Sequence, residues 1–235
     1  MFTRSFHLNS LSGRCARLVK YFSIGRKCAL LGIESSCDDT CAAIVLEDGS
    51  IAQSSQMSQH KQNRQQGGVI PSVAAKLHRE NLPIVVGNVT EHFNVNELDG
   101  VALTIGPGLA PCLGAGLEFA VQWCKEHHKP LILVDHMEAH AMTATMNHTV
   151  FYPAFGFMVS GGNTEIVYCP DHCHPFLKVG DTVDDACGEC IDKVVRMIYQ
   201  LSPTHFPPKH GGSQLSEWSE KYKLTKEYAE GGRRM

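Results

Sequence analysis

Two stretches of this chain present the same succession of elements, and that repeat narrows the fold more than any other feature. Residues 29–34 (ALLGIE) and 41–46 (CAAIVL) read as strands flanking a polar loop, SSCDDT. A third strand, 51–58 (IAQSSQMS), returns after the Glu47-Asp48-Gly49 turn. Pro71 then opens a helical stretch with Val73, Leu77, Ile84 and Val85 on its apolar side, interrupted near Pro83. A buried strand at 101–105, a helix to about Lys125, a strand at 131–135 and a helix from His136 to Met146 complete the order βββαβαβα. The order then restarts. Residues 153–160, 164–169 and 176–180 read as strands, and Asp184 to Leu201 as a helix with Ile191, Val194, Val195 and Ile198 on one face. The pattern predicts an α/β protein of duplicated lobes, the second incomplete. Residues 203–235 are rich in charge, Gly and Pro, with at most one solvated helix where Glu217 precedes Lys221 by one turn.

Charge and cysteine usage bound the setting. Residues 1–27 carry six of the twenty-one basic side chains and none of the twenty-four acidic ones. That Arg- and Ser-rich, acid-free segment has the composition of a mitochondrial transit peptide, or of a basic arm, and points to the matrix. The remainder carries a net −9, so nucleic-acid binding would require a local basic patch or a partner. No apolar run approaches the roughly 18 residues of a membrane-spanning helix. The ten cysteines are scattered through apolar segments, as reduced buried thiols are, rather than spaced as a disulfide framework.

Four groups of residues carry candidate chemistry. His136 and His140 stand four apart on one helix face, a workable spacing for two metal ligands and equally for two surface histidines. Glu138 does not directly follow the first histidine, which excludes the zincin peptidase arrangement. The loop Val159, Ser160, Gly161, Gly162, Asn163 follows a strand, and its amides and hydroxyl can cradle a phosphate; a plain hairpin turn has the same composition. Asp38 and Asp39 lie in the matching loop of the first repeat, where carboxylates hold a cation, accept a proton or decorate a solvated turn. Cys169, Cys173, Cys187 and Cys190 approximate a four-thiolate zinc module, although the last two fall in an apolar helical pattern.

The segments LGIESSCDDT, GGVIPSVAAKLHREN, TIGPGLAPCLGAG, HMEAHAMT, MVSGGNTEIV and TVDDACGECIDKV, in this order, resemble the tRNA N6-adenosine threonylcarbamoyltransferase family, mitochondrial branch. The resemblance covers about residues 29–201. It implies an actin/Hsp70-like ATPase fold, in which 28–150 form the first lobe, 151–202 a partial second lobe and 203–235 a divergent tail. It implies transfer of a threonylcarbamoyl group from threonylcarbamoyl-AMP to the N6 amine of the adenosine beside the tRNA anticodon. His136 and His140 match the family's metal pair, for one divalent ion, iron or zinc. Residues 159–163, Asp192 and Gly212 match contacts to the adenylate, with Asn163 where the family commonly has His. Asp38 and Asp39 match acidic positions with a supporting catalytic role. The family's third protein ligand, an Asp of the distal second lobe, has no match here. The chain is therefore expected either to catalyse the transfer as a C-terminally shortened form, or to be a non-catalytic variant that dimerises or pairs with a full-length subunit.

Overall fold

The computed structural model describes residues 28–66, 68–147, 150–171 and 176–201, together with Leu215. The basic segment 1–27, Cys173, Gly212 and the expected helix near Glu217 lie outside the described residues. Clustering of the backbone divides the chain into two compact units between Phe151 and Tyr152.

In the first unit, β1 (Ala29–Glu34), β2 (Asp39–Leu46), β3 (Ile51–Ser58), β4 (Gly100–Gly106) and β5 (Leu131–Asp135) form one sheet in the order β3-β2-β1-β4-β5. β1 pairs antiparallel with β2, and β2 with β3, whereas β1–β4 and β4–β5 are parallel. This is the α/β lobe of the actin/Hsp70-like fold, with a hairpin meander at one side and helical crossovers between parallel strands at the other. α1 (His60–Gln65), a short helix absent from the periodicity reading, follows β3. The crossovers are α2 (Pro71–Thr90) and α3 (Ala110–His127), and α4 (His136–Asn147) follows β5 without a linker.

Alternation drives the sheet. Ala29, Leu31 and Ile33 of β1 and Ala42 and Ile44 of β2 are buried while their neighbours are not. They meet Val101 and Leu103 of β4, Leu82, Val85, Val86 and Val89 of α2, and Ala120, Trp123 and Cys124 of α3. Burying each large apolar side chain contributes about 1.5–3 kcal/mol, which makes this cluster the anchor of the first unit.

α2 runs through Pro83 without a break. The proline is exposed, so the amide it lacks is missing on the solvent face, and buried Leu82, Val85 and Val86 hold the turn on either side. Its buried stripe is Ala74, Ala75, His78, Leu82, Val85, Val86 and Val89, which leaves Ile84 half exposed.

The second unit contains β6 (Ala154–Val159), β7 (Thr164–Cys169) and β8 (Leu177–Gly180) in an antiparallel sheet of that order, followed by α5 (Cys187–Leu201). Both units thus begin with three meandering strands and a helix. Among the described residues, no helix is long and apolar enough to cross a membrane.

Candidate functional site

Three loops of the first unit meet at the carboxyl ends of its parallel strands, the edge at which open α/β sheets bind ligands. The turn after β1 is clamped to the turn after β4: Leu109 N donates to the Ser36 carbonyl at 2.7 Å, and Ser35 Oγ donates to the Cys112 carbonyl at 3.2 Å. A Cβ on Gly108 would sit 2.7 Å from the Ser36 oxygen and 2.8 Å from its Cβ, so only glycine permits this approach.

At the end of β5, Asp135 caps α4 by accepting from the amides of Met137 and Glu138, both at 2.9 Å. The cap fixes the first helical turn and with it His136. His136 Nε2 and His140 Nε2 lie 3.1 Å apart with their rings at 89°. Two nitrogens each about 2.0–2.1 Å from a tetrahedral ion lie roughly 3.3 Å apart, so the pair fits one divalent cation. Among the described residues, no three His, Cys, Asp or Glu side chains converge as a ligand set. These two histidines would hold such an ion, the other positions being filled by water or substrate oxygens.

Behind His136 stands Glu34, the last residue of β1, with Oε2 at 3.1 Å from Nδ1. Burial pushes the Glu34 carboxyl up. Hydrogen bonds from the Ser36 and Thr104 side chains and the Ser36 amide, with electrostatic attraction from the adjacent His136 ring, outweigh that and hold it below the ordinary carboxylate range.

The two aspartates of the turn are differently engaged. Asp38 Oδ2 lies 3.3 Å from His60 Nδ1. Asp39 opens β2, and its Oδ2 accepts from Gln56 Nε2 at 2.9 Å; no donor among the described residues reaches its solvent-shielded Oδ1. His78 of α2 braces this turn from beneath. Fully buried, it contacts the Cys37 carbonyl through Nε2 at 3.0 Å and the Thr40 hydroxyl through Nδ1 at 2.8 Å.

Cys37 is exposed as a residue, yet desolvation of its sulfur and the neighbouring Asp38 carboxylate push the thiol up to about 11. An ordinary cysteine ionises near pH 8.5. At pH 8, iodoacetamide should therefore modify Cys37 roughly a hundredfold more slowly than an unstructured peptide thiol, and Asp38→Asn should accelerate the reaction. Peptide-mapped alkylation rates check this; a rate equal to that of the peptide thiol would contradict it.

In the second unit, residues 160–163 close the β6–β7 hairpin. Ser160 N donates to the Asn163 carbonyl at 2.8 Å, and Asn163 N donates to Ser160 Oγ at 3.0 Å. Asn163 Nδ2 donates to Glu165 Oε1 at 2.6 Å, and Lys178 Nζ reaches the same oxygen at 3.1 Å. The loop rests on the first turn of α5, where Gly188 N donates to the Ser160 carbonyl at 3.1 Å. A Cβ on Gly188 would sit 2.6 Å from that oxygen and 2.7 Å from Gly161 Cα. Asp192 follows one turn along the helix from Gly188, half-buried. Of the cysteine group, Cys169 is buried while Cys187 and Cys190 are exposed.

The structure thus places Asp38, Asp39, His136 and His140 in the first unit, and residues 159–163 with Asp192 in the second. Four further residues escape sequence reading. Asp135 before a helix is a legible cap signal, whereas Glu34, His78 and Gly188 gain their meaning only from contacts distant in sequence.

The strand order, with a histidine pair at the parallel-strand edge, is that of the actin/Hsp70-like class of α/β proteins. Residues 50–229 match the model of one family within it, tRNA N6-adenosine threonylcarbamoyltransferase. The chain belongs to that family. The Danio rerio protein named tRNA N6-adenosine threonylcarbamoyltransferase, mitochondrial, is 41% identical over 171 residues, 72% of this chain and 42% of its own length. The Homo sapiens protein of the same name is 36% identical, covering 79% of this chain and 45% of its own. A Pelagibacter ubique tRNA N6-adenosine threonylcarbamoyltransferase is 34% identical, covering 84% and 55% respectively. The chain spans about half the length of the curated relatives it matches.

Proposed function

We propose that this protein transfers a threonylcarbamoyl group from threonylcarbamoyl-AMP to the N6 amine of the adenosine next to the anticodon of mitochondrial tRNAs. The carrying observation is the pair of facing Nε2 atoms of His136 and His140 at the carboxyl end of β5, in a chain of this family. The amine attacks the carbamoyl carbonyl carbon; the new C–N bond forms, the C–O bond to AMP breaks, and N6 loses a proton. Iron or zinc, when bound by the two histidines, supplies Lewis-acid stabilisation of oxygen charge. Asp38, on the turn braced by His78, is suited to receive the amine proton, and Asp39 to support it. Gly161 and Gly162 leave backbone amides open to the adenylate phosphate, and the Asp192 carboxylate suits donation by ribose hydroxyls. Gly212, by its match to the family, is a further contact. The mitochondrial names of the animal relatives and the basic segment 1–27 support a mitochondrial address.

Gly188→Ala tests the adenylate loop. In a helix this substitution ordinarily stabilises by about 1 kcal/mol. Here the new methyl meets backbone atoms of Ser160 and Gly161, so the loop must move. Calorimetry with a non-hydrolysable threonylcarbamoyl-adenylate analogue should show affinity reduced tenfold or more, in a variant that stays folded. Equal affinity would remove the loop from the binding site.

A further inference from the structure

We propose that Glu34 is the positioning residue for the metal-binding edge of His136, resting on the reading of the two histidines as a cation site. β1 is apolar or glycine from Ala29 to Ile33 and ends in this single carboxylate. The side chain is only 31% exposed, and a half-buried carboxylate requires partners. Its two oxygens are separately engaged. Oε1 accepts from the Ser36 amide at 2.5 Å, which locks the carboxylate against the turn after β1. Thr104 of β4 holds it from the adjacent strand, where Ile33 pairs with Leu103. Oε2 is thereby aimed at His136 Nδ1, 3.1 Å away and 102 residues later in the chain.

This arrangement selects one form of the imidazole. A carboxylate can only accept, so Nδ1 carries the hydrogen and Nε2 presents its lone pair toward His140. Asp135 fixes the backbone of the same turn through the α4 cap, so ring and main chain are held by different elements. Carboxylate partners of this kind orient a metal-binding histidine and raise its basicity, and their loss typically weakens metal binding 10–100-fold. Glu34 touches neither substrate nor ion in this scheme; it acts through His136.

The test uses the full chain and Zn²⁺ in competition with a chromophoric chelator. Wild type should bind one ion that His136→Ala does not. Glu34→Gln, which keeps an acceptor for Ser36 N but lacks the charge, should bind about tenfold more weakly, and Glu34→Ala up to a hundredfold. Long-range ¹⁵N–¹H spectra of metal-free wild type should show the His136 ring protonated at Nδ1, a readout that needs no variant. Binding that His136→Ala leaves unchanged, or none by wild type, would overturn the cation site and this role with it. Binding abolished by His136→Ala but undiminished in both Glu34 variants would overturn the role of Glu34 alone, as would a His136 ring protonated only at Nε2. Should Glu34→Ala fail to fold, the Gln variant and the wild-type spectrum decide.

Discussion

Leucine in place of His78 is expected to destabilise the first unit by about 2–4 kcal/mol, although the substitution swaps a polar core residue for an apolar one of similar size. The Cys37 carbonyl can only accept, so His78 Nε2 carries the hydrogen and, in the neutral ring, Nδ1 accepts from the Thr40 hydroxyl. Leucine serves neither partner. Thr40 is fully buried, and each buried group left unpaired costs about 1–3 kcal/mol. Urea unfolding should show a lower midpoint at unchanged slope. A shift below about 0.5 kcal/mol would mean that the turn stands without its brace. The effect should also reach Asp38, because the His78 bond fixes the carbonyl immediately before it.

The lobe was legible because its first two strands alternate and the others are short β-rich runs bounded by turn residues. β1, β3, β5 and β7 occupy the residues that apolar patterning and turn signals predict; β1 and β7 alternate buried with less buried positions, whereas β3 and β5 bury no residue fully and are marked by their flanking turns and composition. α1 was not legible: HKQNRQ has no apolar stripe, and nothing but its place after β3 marks it as a helix. Pro83 misled for a related reason. Proline signals a break only where the lost amide bond is not offset by packing, and the burial of Leu82 and Val85 is a tertiary fact. At the candidate site, chemistry-bearing residues at short spacing, such as His136 with His140 or Ser160 with Asn163, announce themselves. Residues whose role is to hold others do not. Glu34 looks like the end of a strand, His78 like one histidine among thirteen and Gly188 like a helix defect, until the contacts to His136, Cys37 and Ser160 are seen.

The central claim is threonylcarbamoyl transfer that depends on the histidine pair. Residues 28–235 would be incubated with threonylcarbamoyl-AMP, a divalent metal and unmodified mitochondrial tRNA, and nucleosides from the digested tRNA identified by mass spectrometry. His136→Ala removes one of the two facing nitrogens and the contact that Glu34 Oε2 makes to the ring. Losing a group that stabilises developing charge costs a factor of about 100–1,000 in rate. The account predicts N6-threonylcarbamoyladenosine from wild type and a loss of at least a hundredfold in His136→Ala, with circular dichroism unchanged. No modified nucleoside from folded wild-type protein, or equal product from the two proteins, would contradict it.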